Sequence, residues 1–341
     1  MKKLLALSLV LVVLLFAAGC AGAEEEKSEI TIGVVVYDEF DTFVGQLMDV
    51  FMDSVSDAMA KNGIKINVIR QASAGSQITQ NDQVEELIKK GCDVVCVNLV
   101  DRTDPSMIIE AARDADVPVV FFNRELVIQD LDSWDKLYYV GADAYDSGNI
   151  EGQIVADAFN SDESLDKNGD GQMQVVVLEG EAGHQDAIIR SEYSVSTIMN
   201  SGITVDKLES AIANWKRAEG QTKMARMLDK YGDEIEVVLS NNDDMALGAI
   251  DEYDSRGITM DDRPVIVGID GTDVGLEAVQ NGTMLGTVYN DKEKQGQAMV
   301  DLAVALALGQ DPDMPDLVDG KYIRFPYARV ERDNVSQFLE R

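Results

Sequence analysis

The 341-residue chain has few basic residues: 29 lysines and arginines stand against 62 aspartates and glutamates, giving a formal net charge of -33. Such a balance repels phosphate backbones and anionic lipid headgroups unless a local basic patch intervenes, and the sequence contains no such patch. Nucleic acid is therefore not expected among its partners. The length and the 45% hydrophobic content allow a large core and favour two domains.

Cysteine is also scarce, with three in the whole chain. Two of them, Cys92 and Cys96, lie four residues apart in a run that is predicted to be a strand. Residues at that spacing on a strand are about 13 Å apart, whereas a disulfide needs Cα atoms within about 7 Å. The spacing also differs from the C-x-x-C of redox motifs. We therefore interpret both as small buried hydrophobic residues.

Long hydrophobic runs are missing apart from Leu4 to Ala18, which is shorter than the roughly 20 residues of a membrane span. Two lysines precede this run, so residues 1–19 are predicted to be a cleaved signal peptide. It ends in small residues followed by Cys20, which is typical of a bacterial lipobox and predicts lipidation of that cysteine. The alternative is an ordinary signal peptide or an uncleaved anchor. Residues 20–29 are predicted to form a flexible, lipidated tether.

After the tether, short β-branched runs alternate with longer amphipathic stretches. The run Ile32 to Val36 is predicted to be a buried strand and residues 43–59 a helix, and this pattern continues as far as Phe122. A second series of the same kind begins near Tyr145. Repeated βαβ units form parallel sheets with helices on both faces. The sequence therefore predicts an α/β fold with two doubly wound parallel-sheet lobes joined by a hinge.

Polar and aromatic side chains follow nearly every predicted strand, which is where doubly wound sheets bind their ligands. Sugar hydroxyls both donate and accept hydrogen bonds, planar polar groups can take two of them at once, and aromatic rings suit the apolar faces of a pyranose. Taken singly, each residue is also typical of a turn, a helix cap or core packing. The set is more specific, and among its members are Asp41, Phe43, Asn123, His184, Asp186, Arg190, Trp215, Asn242, Asp270 and Asn290.

The segment from Asp166 to Gln174 resembles the front of an EF-hand loop. Oxygen-bearing side chains occupy loop positions 1, 3, 5 and 9, and a glycine at position 6 allows the sharp turn. Position 12, where the bidentate glutamate belongs, is Val177 in a predicted strand. The loop therefore favours a calcium site, which needs a carboxylate from elsewhere, over a solvated acidic loop without metal. Because a strand follows the loop, a structural clamp is favoured over a sensor switch.

In these motifs the sequence resembles the periplasmic galactose/glucose-binding proteins, within the type 1 solute-binding fold. The resemblance runs from Ile32 to about Glu331. Its most specific motifs are Val119 to Asn123, Tyr138 to Gly141, Asp166 to Gln174, Gly183 to Asp186, Asn241 to Asp243 and Gly286 to Asp291.

The resemblance implies roles for individual residues. Phe43 and Trp215 would hold the sugar ring between them. Its hydroxyls would be bound by Asp41, Asn123, His184, Asp186, Arg190, Asn242, Asp270 and Asn290. The calcium ligands would be Asp166, Asn168, Asp170, Gln172 through its carbonyl, Gln174 and the distant Glu236. Two positions depart from the family: Gln185 replaces a usual proline, and Lys216 replaces a usual aspartate at the rim of the cleft.

The resemblance also implies three crossovers between lobes and a hinge-bending closure around the ligand. On this basis the N-terminal lobe would comprise residues 30–141 plus 291–322, and the C-terminal lobe residues 142–290 plus 323–341. Such proteins are monomers that hand a sugar to the membrane permease of an ABC transporter, and some also engage a chemoreceptor.

Other classes of function remain open from the residues alone. A glycoside hydrolase could use Asp186 and Asp270 as acid and base, although neither is expected to be tuned toward protonation. A sensory module would use the same closed state as a transport protein. A sugar-responsive transcription regulator shares the fold, but no helix-turn-helix segment precedes the first lobe. The leading prediction is a binding protein without catalysis.

Overall fold

The computed structural model describes residues 27–339. The predicted signal peptide and the lipidation site Cys20 lie outside these residues. Within them, none of the helices has the length and apolar character needed to cross a bilayer. The predicted architecture is confirmed, because the described chain forms two α/β lobes, each built around one mainly parallel sheet.

In the described part of the chain, the N-terminal lobe holds a seven-stranded sheet in the order β11-β12-β5-β4-β3-β1-β2. Its pairs are parallel except for β11 with β12 at one edge. The strands are β1 (Glu29–Val36), β2 (Lys65–Ala72), β3 (Val94–Val97), β4 (Val119–Phe122), β5 (Leu137–Ala142), β11 (Leu317–Val318) and β12 (Tyr322–Phe325). The helices are α1 (Thr42–Asn62), α2 (Gln77–Lys89), α3 (Ser106–Ala115), α4 (Ile128–Leu131) and α10 (Lys292–Ala307).

The C-terminal lobe holds, among the residues described, a six-stranded sheet in the order β13-β10-β9-β8-β6-β7. Only the edge pair of β10 with β13 is antiparallel in this region. The strands are β6 (Gln172–Glu179), β7 (Thr204–Ile212), β8 (Val237–Ser240), β9 (Val265–Asp270), β10 (Gly286–Tyr289) and β13 (Ala328–Glu331). The helices are α5 (Ala144–Ser161), α6 (Gln185–Asn200), α7 (Arg217–Tyr231), α8 (Asp243–Ser255), α9 (Asp273–Asn281) and α11 (Ser336–Leu339).

Each sheet has a hydrophobic cluster on both faces, as its continuous apolar strands predict. In the N-terminal lobe, α1 and α10 cover one face and α2 and α3 the other. In the C-terminal lobe, α7, α8 and α9 cover one face and α5 and α6 the other. Since both sheets are buried on two sides, the carboxyl ends of their strands are fixed rigidly, and polar side chains placed there hold their positions.

The chain crosses between the lobes after β5, after β10 and between β12 and β13. Two predicted boundaries are too early, because positions 141/142 and 322/323 fall inside β5 and β12. Strand β12 ends at Phe325, because the next residue, Pro326, has no N–H to donate to a sheet. The predicted tether is also too long, since Glu29 starts β1 and pairs with Lys65.

Cys92 and Cys96 are buried free thiols, as the spacing predicted. Burial raises the pKa of Cys92 to about 11 and that of Cys96 to about 12. Neither thiol is therefore ionised near neutral pH, and both act as packing residues in the N-terminal lobe.

Candidate functional site

A cavity lies between the lobes, at the carboxyl ends of both sheets. Both lobes contribute to its wall, and nine of the ten residues predicted to bind sugar line it. The lining comprises Tyr37, Asp41, Phe43, Val44, Asn123, Arg124, His184, Asp186, Arg190, Trp215, Asn242 and Asp270.

Asn290 is the predicted sugar-binding residue that this lining does not include. It is buried just after β10, where its Oδ1 accepts a hydrogen bond from Gln295 Nε2 over 2.6 Å. Its side chain is therefore engaged by the first turns of α10, at the second crossover. Although Asn290 directly follows a strand, its side chain is not part of the cavity wall.

Asp41 caps α1 and is held from two sides. Its Oδ1 accepts the backbone N–H of Val44 over 2.8 Å, and its Oδ2 accepts the hydroxyl of Tyr37 over 2.5 Å. Burial and the neighbouring Asp41 carboxylate raise the pKa of Tyr37, so the phenol keeps its proton. Both contacts lie within the N-terminal lobe, and together they restrain the carboxylate of Asp41.

Asn123 follows β4 with a φ of 60°, a left-handed conformation that asparagine tolerates better than most residues. Its carbonyl accepts the hydroxyl of Tyr139 over 2.9 Å, and its Oδ1 accepts Asn98 Nδ2 over 3.1 Å. The Nδ2 group is left to donate to a bound molecule.

His184 caps α6, with its Nδ1 accepting the backbone N–H of Asp186 over 3.1 Å. Burial, together with the nearby cations Arg124 and Arg190, holds the pKa of His184 well below its usual range. The imidazole is therefore neutral, and its proton lies on Nε2, because Nδ1 acts as the acceptor. His184 can offer a neutral N–H donor to a ligand.

Arg190 is 3% exposed and is the central cation of the site. Its Nη1 donates to the carbonyl of Asn241 over 2.6 Å and lies 3.4 Å from Asp270 Oδ1, while Nη2 donates to Tyr327 Oη over 3.0 Å. Nη2 also lies 3.6 Å from Asp186 Oδ2. Burial lowers the pKa of Arg190, but Tyr327, Asp270 and Asp186 together raise it by more than burial lowers it. The guanidinium therefore stays charged.

The prediction that neither Asp186 nor Asp270 is tuned toward protonation is wrong. Burial raises the pKa of both, well above the ordinary range for Asp270, and Arg190 only partly offsets this. Asp270 also adopts a φ of 115°, which is strained for any residue except glycine. Both carboxyls can accept hydrogen bonds from hydroxyls, and in the protonated form they can also donate to them.

Trp215 stands on a strained backbone with a φ of 64°. Asn242 Nδ2 donates to the Trp215 carbonyl over 3.1 Å, and the His184 ring packs edge-on against the indole with centroids 5.1 Å apart. A Cβ at Gly180 would lie 2.1 Å from Trp215 Cη2, so only glycine fits beneath the ring. These neighbours fix one aromatic wall of the cavity, and Phe43 contributes another.

Two donors in the cavity wall have no partner. Among the residues described, Arg190 Nε and Trp215 Nε1 are buried and make no hydrogen bond. Buried polar groups are almost always paired, so these two donors indicate that the cavity takes a ligand with acceptor oxygens.

Tyr37, Val44 and Arg124 are the lining residues to which the sequence assigned no role. Tyr37 and Arg124 both lie directly after strands, which is the signal that pointed to the other residues. Their contribution was missed because it depends on contacts with residues distant in sequence.

The Asp166–Gln174 loop lies at the amino end of β6, the opposite edge of the sheet from the cavity. Glu236 is 1% exposed and bridges this loop, with Oε1 accepting Lys167 N over 2.6 Å and Oε2 accepting Gln174 N over 3.1 Å. Burial raises the pKa of Glu236, and Asp166 adds to the effect. The distant carboxylate thus reaches the loop.

The donors of this loop fit a calcium ion in kind. Gln174 Oε1 is buried without a hydrogen-bond partner in the described structure, and carboxylate and amide oxygens surround the same turn. In residues 27–339, however, no three His, Cys, Asp or Glu side chains converge closely enough to form a metal cluster. Backbone N–H groups donate hydrogen bonds to the side-chain oxygens of Asp166, Asn168, Asp170 and Glu236.

Glu151 is a buried acid outside the cavity, on α5. It is fully buried, and its Oε1 accepts the N–H of Ser240 over 3.0 Å. Burial raises the pKa of Glu151 to about 8. The folded protein therefore binds this proton more tightly than the unfolded chain does. The resulting stability is complete below the ordinary glutamate pKa and is lost as the pH rises through about 8.

Glu151→Gln should flatten the pH dependence of stability between about pH 5 and pH 8. Glutamine keeps the acceptor for Ser240 and cannot titrate, so the slope should fall by up to about 1.4 kcal/mol per pH unit. Urea unfolding at several pH values measures this slope. The exposed Glu163→Gln variant is the control and should behave like the wild type. An unaltered slope in Glu151→Gln would contradict the assignment.

Comparison with known proteins agrees with this fold. The family model described as a periplasmic binding protein domain matches residues 32–311. The D-galactose/methyl-galactoside binding periplasmic protein MglB of Haemophilus influenzae is 34% identical, over 100% of both chains.

Solved structures agree as well. A solute-binding protein of an ABC transporter from Bacillus halodurans C-125, with bound myo-inositol, has a TM-score of 0.78 and 27% identity, over 93% of this chain and 99% of that one. A periplasmic solute-binding protein from Actinobacillus succinogenes 130z, with bound D-allose, shares the fold with a TM-score of 0.76 at 19% identity, over 90% and 99% of the two chains. The chain thus belongs to the periplasmic binding protein family, whose members are extracytoplasmic solute-binding proteins and not enzymes.

Proposed function

We propose that this protein binds one hexose, galactose or glucose, between its lobes and delivers it to the permease of an ABC transporter. The observation that carries the proposal is the pair of buried, unpartnered donors Arg190 Nε and Trp215 Nε1 in a cavity walled by polar and aromatic side chains. A pyranose offers ring and hydroxyl oxygens to such donors and apolar C–H faces to the rings. The galactose-binding relative supports the choice of a hexose.

Isothermal titration of the chain from Ala21 onward, which omits the signal peptide and Cys20, tests this proposal. We expect tight one-to-one binding of galactose or glucose. Ribose and myo-inositol serve as comparison ligands, because they keep the hydroxyls but change the ring or its substituents. Tight binding of a comparison ligand with no response to either hexose would contradict the hexose assignment.

Catalysis on a glycoside has less support. The cavity contains two carboxyls with raised pKa values, Asp186 and Asp270, but both lie beside Arg190, which would hold them for hydrogen bonding. The family consists of binding proteins. Release of product from an aryl glycoside would revive the hydrolase alternative.

We also propose that the Asp166–Gln174 loop and Glu236 hold one structural calcium ion. The ligands would be Asp166, Asn168, Asp170, the carbonyl of Gln172, Gln174 and Glu236. The support is the unpartnered, buried Gln174 Oε1 and the near-complete burial of the Glu236 carboxylate beside other acids. Bound calcium would neutralise this concentration of negative charge and fix the start of β6.

Removing calcium with a chelator should lower the melting temperature by about 5 °C, since a ligand that binds only the folded state stabilises it by about 2.7 kcal/mol at 100 times its dissociation constant. Differential scanning calorimetry with and without added calcium measures the shift. Glu236→Gln should melt at the same temperature in both conditions. Identical melting of the wild type with calcium and with chelator would contradict the site.

Membrane attachment is a further part of the proposal. Lipidation of Cys20 would tether the protein to the cell envelope, and more than one acyl chain is needed for durable anchoring. Cys20→Ser should therefore release the protein from membranes in cell fractionation. Function as a monomer and contact with a chemoreceptor also remain proposals, which sedimentation and co-purification can test.

A further inference from the structure

Arg124 joins the two lobes at the wall of the cavity. It follows β4 in the N-terminal lobe, and its Nη2 lies 3.0 Å from Oε2 of Glu181, which follows β6 in the C-terminal lobe. Its Nη1 donates to the carbonyl of Val100 over 2.9 Å. Arg124 is 3% exposed, so its guanidinium is held in place on the N-terminal side and meets a carboxylate from the opposite side.

The same guanidinium lies on the ring of Tyr37, with Cζ 3.5 Å from the ring centroid. The hydroxyl of Tyr37 donates to Asp41 Oδ2 over 2.5 Å. A continuous series of contacts therefore runs from Glu181 through Arg124 and Tyr37 to a carboxylate that lines the cavity. The contact between the cation and the ring fixes the plane of the phenol, and the phenol fixes the carboxylate.

We propose that Arg124 is a positioning residue that couples lobe closure to the orientation of Asp41. Glu181 belongs to the other lobe, so we expect opening of the cleft to remove one restraint on the guanidinium and, through Tyr37, on Asp41. The sugar-facing carboxylate is then best oriented in the closed state. This inference rests on the proposed binding of a sugar. It adds Arg124 as a determinant of the rate at which that sugar dissociates.

Glu181→Gln is the first test, because it removes the charge while keeping the size of the side chain and every residue that lines the cavity. We expect the dissociation rate of galactose or glucose to rise about 3- to 10-fold, since weakening a partly buried charge pair acts mainly on dissociation. Stopped-flow tryptophan fluorescence measures this rate. The melting temperature of the sugar-free protein should stay the same.

Asp273→Asn is the matched control. Asp273 Oδ1 also pairs across the cleft, with Lys292 Nζ at 2.8 Å, but it does not line the cavity. Its side chain is 69% exposed, so a less than twofold effect on the dissociation rate is expected. Equal effects of Asp273→Asn and Glu181→Gln would overturn the inference, because both would then act only through general closure.

Tyr37→Phe completes the test, because it keeps the ring beneath Arg124 and removes the hydroxyl that orients Asp41. If the contacts act in series, Tyr37→Phe combined with Glu181→Gln should accelerate dissociation by less than the product of the two single effects. Multiplicative effects, or an unchanged rate in Glu181→Gln, would overturn the inference. A wild-type protein that binds neither sugar would instead overturn the proposed function itself.

Discussion

Trp215→Ala should weaken sugar binding by about a hundredfold or more while the protein still folds. The indole forms one wall of the cavity and carries an unpartnered donor, and buried tryptophans of this kind dominate binding energies. The loss combines the stacking face and the Nε1–H donor. Isothermal titration measures the affinity, and circular dichroism reports the fold.

The other tryptophan, Trp134, provides the matched control. It packs at the edge of a hydrophobic cluster of the N-terminal lobe and does not line the cavity. Trp134→Ala should lower stability and leave the affinity within about threefold. Retention of wild-type affinity in Trp215→Ala would refute the stacking role, and with it the predicted enclosure of the ring between Phe43 and Trp215.

Arg190→Met should abolish binding and destabilise the C-terminal lobe by about 3 to 5 kcal/mol. Removing one partner of a buried ion pair leaves the remaining charge uncompensated, and here Asp186 and Asp270 both lose their cation. The carbonyl of Asn241 and the hydroxyl of Tyr327 lose a donor as well. Equilibrium unfolding in urea measures the loss of stability.

Arg190→Lys separates binding from folding, because it retains the charge but cannot satisfy several acceptors at once. We expect a folded protein with at least about a hundredfold lower sugar affinity. Arg217→Met is the surface control: its partner Asp251 is partly exposed, so the change should cost less than about 1 kcal/mol. Near-normal affinity in Arg190→Lys would contradict direct contact between the guanidinium and the sugar.

The fold was accessible from the sequence because continuous apolar strands alternate with amphipathic helices. That local pattern predicted two parallel-sheet lobes, and the general rule that ligands bind beyond strand ends led to Asp41, Asn123, His184 and Asp270, which do meet in one cavity. Glu236 was named by resemblance alone, since some 60 residues separate it from the loop that it contacts.

Other features could not be read from local pattern. The requirement for glycine at Gly180 exists only because Trp215 lies against it. The role of Arg124 depends on Glu181 in the other lobe. Asn290 follows a strand like the other site residues, yet a partner on α10 engages its side chain. For Gly180 and Arg124 the deciding contact joins residues distant in the chain, whose proximity is set by packing.

The sequence by itself determined the fold class: the alternation of elements and the polar strand ends follow from residues close to one another in the chain. Tertiary structure decided which side chains share a cavity, which donors are left without partners, and which pKa values are shifted. Burial and contacts between distant residues control those properties, because the free energy of a polar group depends on its solvation and on its neighbours in space.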